Sequence, residues 1–200
     1  MAFVKPATLD EAREFFKKEL REAMSNQKLN AHDSAVEYLA DLLVRNMSSE
    51  SFYSKDEQGN LKENVLVDLY AQYLQGDEFT KRNSLRRLGD ICLMITGFFS
   101  DSITRKLVDM DYYFGMGGGA YWQLSTITLG NTGTYQELSQ KFRPFSDVLG
   151  EMSERSGIQN NSDLLRTYER WLFTGSDRLK QLLSTHGIET PFAVNPKTKH

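Results

Sequence analysis

The sequence predicts an all-α protein, a single-domain bundle of about seven helices around a buried central helix at about 82–99. Three observations carry that expectation. Apolar residues recur at three- and four-residue steps almost from end to end. Ser or Thr followed three residues later by Glu, the spacing of a capping box, stands ahead of several of those stripes. Alternating apolar and polar runs, the signature of half-buried strands, are nearly absent.

The elements follow in order. Thr8 and Glu11 have the capping spacing, and Leu9, Ala12, Phe15, Phe16, Leu20 and Ala23 continue as one stripe. Ser34 and Glu37 repeat it ahead of Val36, Leu39, Ala40, Leu43 and Met47. The polar stretch 48–60 reads as a loop whose Phe52 and Tyr53 dock back on the body. A third helix is expected over 61–75, with Gly76 in a left-handed C-terminal position. The chain is most apolar from Leu85 to Phe99, and a helix that is apolar all round is buried on every side, so this segment is the expected centre.

Beyond it, 103–114 reads as a helix, 115–120 as a glycine-dense patch, and 121–129 as a further, Thr-rich helix. Gly130, Asn131 and Gly133 mark a turn, and Thr134 with Glu137 gives another capping box. Pro144 lacks an N–H and should kink or divide the helix that Leu138, Phe142, Phe145, Val148, Leu149 and Met152 describe, up to Gly157. Ser162 or Asn161 opens the last long segment, which Gly175 splits and Gly187 ends. The expected domain is therefore 1–187, with 188–200 as an extended C-terminal tail.

Composition narrows the function. With 24 Lys and Arg against 27 Asp and Glu, bulk charge does not favour nucleic acid. The opening residues lack the apolar run of a signal peptide, and the strongest apolar stretch, 91–99, is about half the length a membrane span needs. A cytoplasmic protein with no integral membrane segment is the expectation. Three histidines and one cysteine leave no zinc spacing and no Glu-x-x-His pair for a di-iron bundle, so neither metal nor other cofactor is expected. Cys92 sits inside the apolar run as a small hydrophobe. No Gly-x-Ser-x-Gly elbow and no phosphate loop ending in Gly-Lys-Ser/Thr is present, so no catalytic residue is assigned.

The most unusual stretch is RKLVDMDYYFGMGGGAYW, from Arg105 to Trp122. Two physical accounts compete for it. In the first, Gly115 and Gly119 share a helix face and let a second helix approach closely, with Gly97 as partner. Glycine costs about 0.5–1 kcal/mol relative to alanine inside a helix, so close packing should offset it. In the second, the glycines break the helix and expose backbone N–H groups in a ligand pocket. Its candidate residues are Arg105, Asp109, Asp111, Tyr112, Tyr113, Gly117, Gly118, Gly119, Tyr121 and Trp122.

Arg105 and Asp109 are also spaced for an ion pair along one helix. The cations Lys81, Arg82, Arg86 and Arg87 oppose the dipole at the start of the central helix, which calls for acids nearby, Asp77 and Glu78 or a partner's. His32 and His186 read as helix-end residues. The leading functional expectation is a non-enzymatic helical protein that binds another protein or a second copy of itself. Its alternatives are a small-molecule binder or enzyme using the 105–122 region and, more weakly, a peripheral membrane role for the helix at 8–24.

Overall fold

A computed structural model describes residues 8–47, 64–98, 110–128, 130, 132–154, 171 and 176–185. These residues form eight helices and no strand: α1 Leu9–Asn26, α2 Asp33–Met47, α3 Asn64–Gln75, α4 Glu78–Gly97, α5 Met110–Ile127, α6 Thr132–Gln140, α7 Phe142–Glu154 and α8 Asp177–Thr185. The expected all-α bundle is what the chain forms.

At the start of α1, Thr8 and Glu11 close the expected capping box: Thr8 Oγ1 accepts from the Glu11 N–H at 3.1 Å, and Glu11 Oε2 accepts from the Thr8 N–H at 3.3 Å. The apolar stripe of α1 buries Ala12, Leu20, Ala23 and Met24, and the helix packs on α2 and α7. Most of that stripe, weighed above as a membrane face, is engaged inside the protein, while Leu9 at its start is exposed.

α4 is the centre of the bundle and packs against α3, α5 and α7. It begins four residues earlier than the apolar pattern implied, because Asp77 caps it by accepting from the Thr80 N–H at 2.8 Å. From Leu88 to Gly97 every residue of α4 is buried. Gly97 meets α7, not α5: a methyl group there would stand 2.7 Å from Leu149 Cβ and 2.9 Å from the Ser146 carbonyl. The anticipated contact of Gly97 with Gly115 and Gly119 is therefore replaced by one with α7.

Other local expectations change in instructive ways. The glycines at 115–119 do not interrupt the chain; α5 runs straight through them. Gly76 is not left-handed, since Gly130 is the glycine of positive φ among the described residues. Space constrains Gly76 instead, as a Cβ would lie 2.6 Å from the Gln72 carbonyl and from Thr80 Cγ2. Thr134 is not a cap, because α6 starts two residues earlier and Glu137 turns inward. The division expected from Pro144 falls between α6 and α7. Pro144 cannot donate to the Gln140 carbonyl, and α6 ends at Gln140. The Lys141 and Phe145 N–H groups keep their bonds to Glu137 and Lys141 on either side.

One apolar core joins residues from α1 to α7, and Trp171, Leu179 and Leu183 form a second, smaller cluster. Among the described residues, no helix is long and apolar enough to cross a membrane. The expected loop contacts of Phe52 and Tyr53, the segments around 100–109 and 155–170, His186, and the tail 188–200 lie outside the described residues.

Candidate functional site

Of the residues singled out from sequence, Arg105 and Asp109 lie outside the described part. α5 distributes the others around its circumference. Tyr113, Gly117 and Tyr121 face inward and are buried, whereas Asp111, Tyr112, Gly119 and Trp122 face outward. Asp111 forms an ion pair with Arg143 of α7, whose guanidinium also lies 4.2 Å from the Phe114 ring centre. Gly117 is the close-packing position. A Cβ there would fall 2.6 Å from Cys92 Cβ and 2.4 Å from Phe142 Cζ. Gly118 leaves its carbonyl open to Ser139 of α6, whose Oγ donates to it at 2.8 Å. At Gly115 and Gly119 no described atom outside the local backbone lies within 4 Å of where a Cβ would stand.

The chemically densest place in the bundle centres on Asp90 of α4, which is 6% exposed. Its Oδ1 accepts from Tyr38 Oη at 2.6 Å and from Tyr121 Oη at 2.8 Å, tying α2 and α5 to α4 through one oxygen. Arg45 reaches Oδ2 at 3.5 Å, and its guanidinium carbon lies 5.8 Å from the Tyr38 ring centre. Tyr135 of α6 completes the cluster, stacked on Tyr121 at 6.3 Å and edge-on to Tyr38 at 5.6 Å. The neighbouring Gly89 makes this geometry available. A methyl group there would stand 2.5 Å from Tyr121 Cε1, so only a bare backbone lets that ring lie flat on α4.

Burial pushes the Asp90 carboxyl above the usual aspartate range, and the two tyrosine hydrogen bonds and the charges of Arg45 and Arg86 pull in the opposite direction. Both tyrosine hydroxyls are pushed well above the ordinary phenol value, first by burial and then by the adjacent carboxylate, so they act as donors and not as bases. The arrangement is a satisfied polar knot that fixes the register of three helices. Its sequence signal was a single carboxylate, Asp90, inside an otherwise apolar run. A charge buried on a helix needs partners from elsewhere in the chain, but spacing alone could not name them.

A second buried acid, Glu137 of α6, holds the segment before α2. It accepts from the His32 N–H at 3.2 Å, from His32 Nδ1 at 3.0 Å and from Lys141 Nζ at 2.7 Å. Burial raises its carboxyl, but the bonds from Lys141 and His32 outweigh that and hold it below the usual glutamate range. His32 stands at the start of α2 as expected, its carbonyl accepting from the Ala35 and Val36 N–H groups. Among the described residues, no three of His, Cys, Asp and Glu converge as metal ligands would.

The third feature is on the outside. α3 packs on α4 through Leu66 and Leu69, both buried, with Val65 and Tyr73 partly covered. A second apolar stripe runs along the same helix. Val67, Tyr70 and Leu74 follow at steps of three and four, and they are 61%, 48% and 59% exposed. Phe79, at the start of α4 just beyond the Gly76–Asp77 connection, is 68% exposed. α3 carries a single charge, Asp68.

No family model matches the chain, and the comparisons with curated proteins and with solved structures returned no match.

Proposed function

We propose that this chain is a non-enzymatic docking module that binds protein through the uncovered stripe of α3 and the adjoining Phe79. The carrying observation is that α3 is apolar on two faces while its main packing, among the described residues, is on α4. A surface helix ordinarily turns polar side chains away from the core. Here three apolar side chains of one α3 stripe, with Phe79 just beyond the Gly76–Asp77 connection, stand in solvent and present on the order of 400 Å² of apolar surface in all, from their exposures and typical side-chain areas. The largest apolar patch on a monomer, typically about 300–600 Å², is often functional.

The candidate pocket residues offer less support to the small-molecule alternative, because Tyr113, Gly117 and Tyr121 are consumed in helix packing and in the bond to Asp90. Asp90 itself is saturated by donors, which suits a structural tie better than proton transfer. A cytoplasmic setting accompanies this proposal as the expectation carried by the sequence.

The test places a photo-crosslinking residue at Tyr70 in the full chain and, as control, at Lys18, an exposed position on α1. Irradiation in cell extract should yield a higher-mass protein adduct from position 70 and none from position 18. Absence of any adduct at position 70 overturns the docking reading.

A further inference from the structure

We propose that Arg86, Arg45 and the Tyr135 hydroxyl form a surface site for a phosphate group at the outer edge of the Asp90 cluster. The site shares no residue with the α3 stripe and does not rest on the docking reading. The basic run at the start of α4 leads to it. Its cations oppose the helix dipole and call for acids. Among the described residues Arg82 meets Glu78, at 3.9 Å, whereas Arg86 meets no acid. Arg86 is exposed and stands one helical turn before Asp90, a spacing that permits an ion pair, yet it forms none there. Its guanidinium donors find no acceptor among the described residues.

Asp90 is already occupied. Its Oδ1 accepts from Tyr38 and Tyr121, and its Oδ2 faces Arg45 at 3.5 Å. The Tyr135 ring is held against Tyr38 and Tyr121, with centres 5.6 and 6.3 Å apart, but its hydroxyl has no hydrogen-bond partner among the described residues. That hydroxyl feels the charge of Arg86 more than those of Asp90 and Arg45. Burial also raises it less than it raises Tyr38 and Tyr121, which places it on the Arg86 side and nearer the surface. Two guanidinium groups against one carboxylate leave a net positive charge, and the tyrosine hydroxyls shield that carboxylate. An anion is the partner such a set of donors lacks. The donors come from α2, α4 and α6, so they converge from three directions. A tetrahedral oxyanion, which offers acceptors on every side, suits them better than a planar carboxylate.

Titration of the full chain with inorganic phosphate at constant ionic strength tests the site, read by the Nε–H resonances of Arg45 and Arg86 in nitrogen-15 NMR. Both should shift and saturate together. Arg86→Gln, followed at Arg45, should weaken binding about tenfold through loss of a charge-assisted hydrogen bond. Tyr135→Phe should weaken it about threefold through loss of a neutral one. Arg86 is exposed and the Tyr135 hydroxyl has no partner among the described residues, so both variants should keep the wild-type circular dichroism and thermal midpoint. Arg87→Gln removes the adjacent exposed cation and should leave binding within about twofold of wild type, since diffuse surface charge contributes little. Phenyl phosphate binding more tightly than inorganic phosphate identifies an ester as the occupant, and equal binding identifies the free ion; either supports the site. The absence of a saturable shift with both ligands overturns the inference. So does a response that survives Arg86→Gln, an equal loss in Arg87→Gln, or acetate binding as tightly as phosphate.

Discussion

The glycines of α5 allow a sharp test of what holds this bundle together, because neighbouring positions of one helix should respond to the same change with opposite signs. At Gly115 and Gly119 a methyl group meets no described atom within 4 Å outside the local backbone. Alanine there gains helix propensity of up to about 1 kcal/mol per site and gives up nothing in packing. At Gly117 the same methyl group would stand 2.4 Å from Phe142 Cζ, 2.7 Å from Phe142 Cε2 and 2.6 Å from Cys92 Cβ. Neither neighbour can easily withdraw. Cys92 Cβ belongs to the fully buried face of α4, and the Phe142 ring is 4% exposed and packs against Phe114 and Tyr121. Overpacking of this kind costs about 1–3 kcal/mol or more. It outweighs the propensity gain.

Urea denaturation of the three single variants, read by far-ultraviolet circular dichroism, should place Gly115→Ala and Gly119→Ala at or above the wild-type midpoint and Gly117→Ala clearly below it. For a domain of this size, about 2 kcal/mol corresponds to a shift of several degrees in thermal midpoint. If Gly117→Ala is as stable as Gly115→Ala, the claim that the bare backbone of α5 at Gly117 packs directly against the Cys92 and Phe142 side chains is wrong. Loss of stability at Gly115 or Gly119 would show that those positions are covered, and would remove the argument that their face is free of close neighbours.

Three further outcomes follow from the buried groups. Because burial raises the Asp90 carboxyl in the folded state, its contribution to stability is fully present below the ordinary aspartate value and is lost as pH rises through the elevated folded value. Asp90→Asn, which keeps an acceptor for Tyr38 and Tyr121, should flatten that part of the pH–stability curve. Asp90→Leu strands two buried hydroxyls and should cost roughly 1–3 kcal/mol for each at any pH; an Asp90→Leu protein as stable as wild type would refute the knot. Burial also pushes the Cys92 thiol up to about 12, so the native protein should fail to react with a thiol-selective disulfide reagent at neutral pH and react fully once unfolded. Rapid native labelling would show that the α4–α5 contact opens.

The periodicity of the chain by itself determined the helical class, the central place of α4 and the capping of α1 by Thr8 and Glu11. Each of these is a local property. A helix needs only its own residues to display an apolar stripe or to satisfy its first N–H groups. Local signals misled where a nearby residue had a distant use. Glu137 is spaced like a capping acid from Thr134 but turns to His32, and the glycines at 115–119 resemble a break yet lie in a continuous helix, where neighbours beside Gly117 occupy the space a side chain would take. Tertiary structure alone decided which faces meet. Asp90 finds Tyr38 and Tyr121, which lie 52 and 31 residues away, and α3 leaves one of its two apolar stripes uncovered by the other described helices. A stripe read from sequence tells that a face is apolar; only the arrangement of the other helices tells whether anything within the chain covers it.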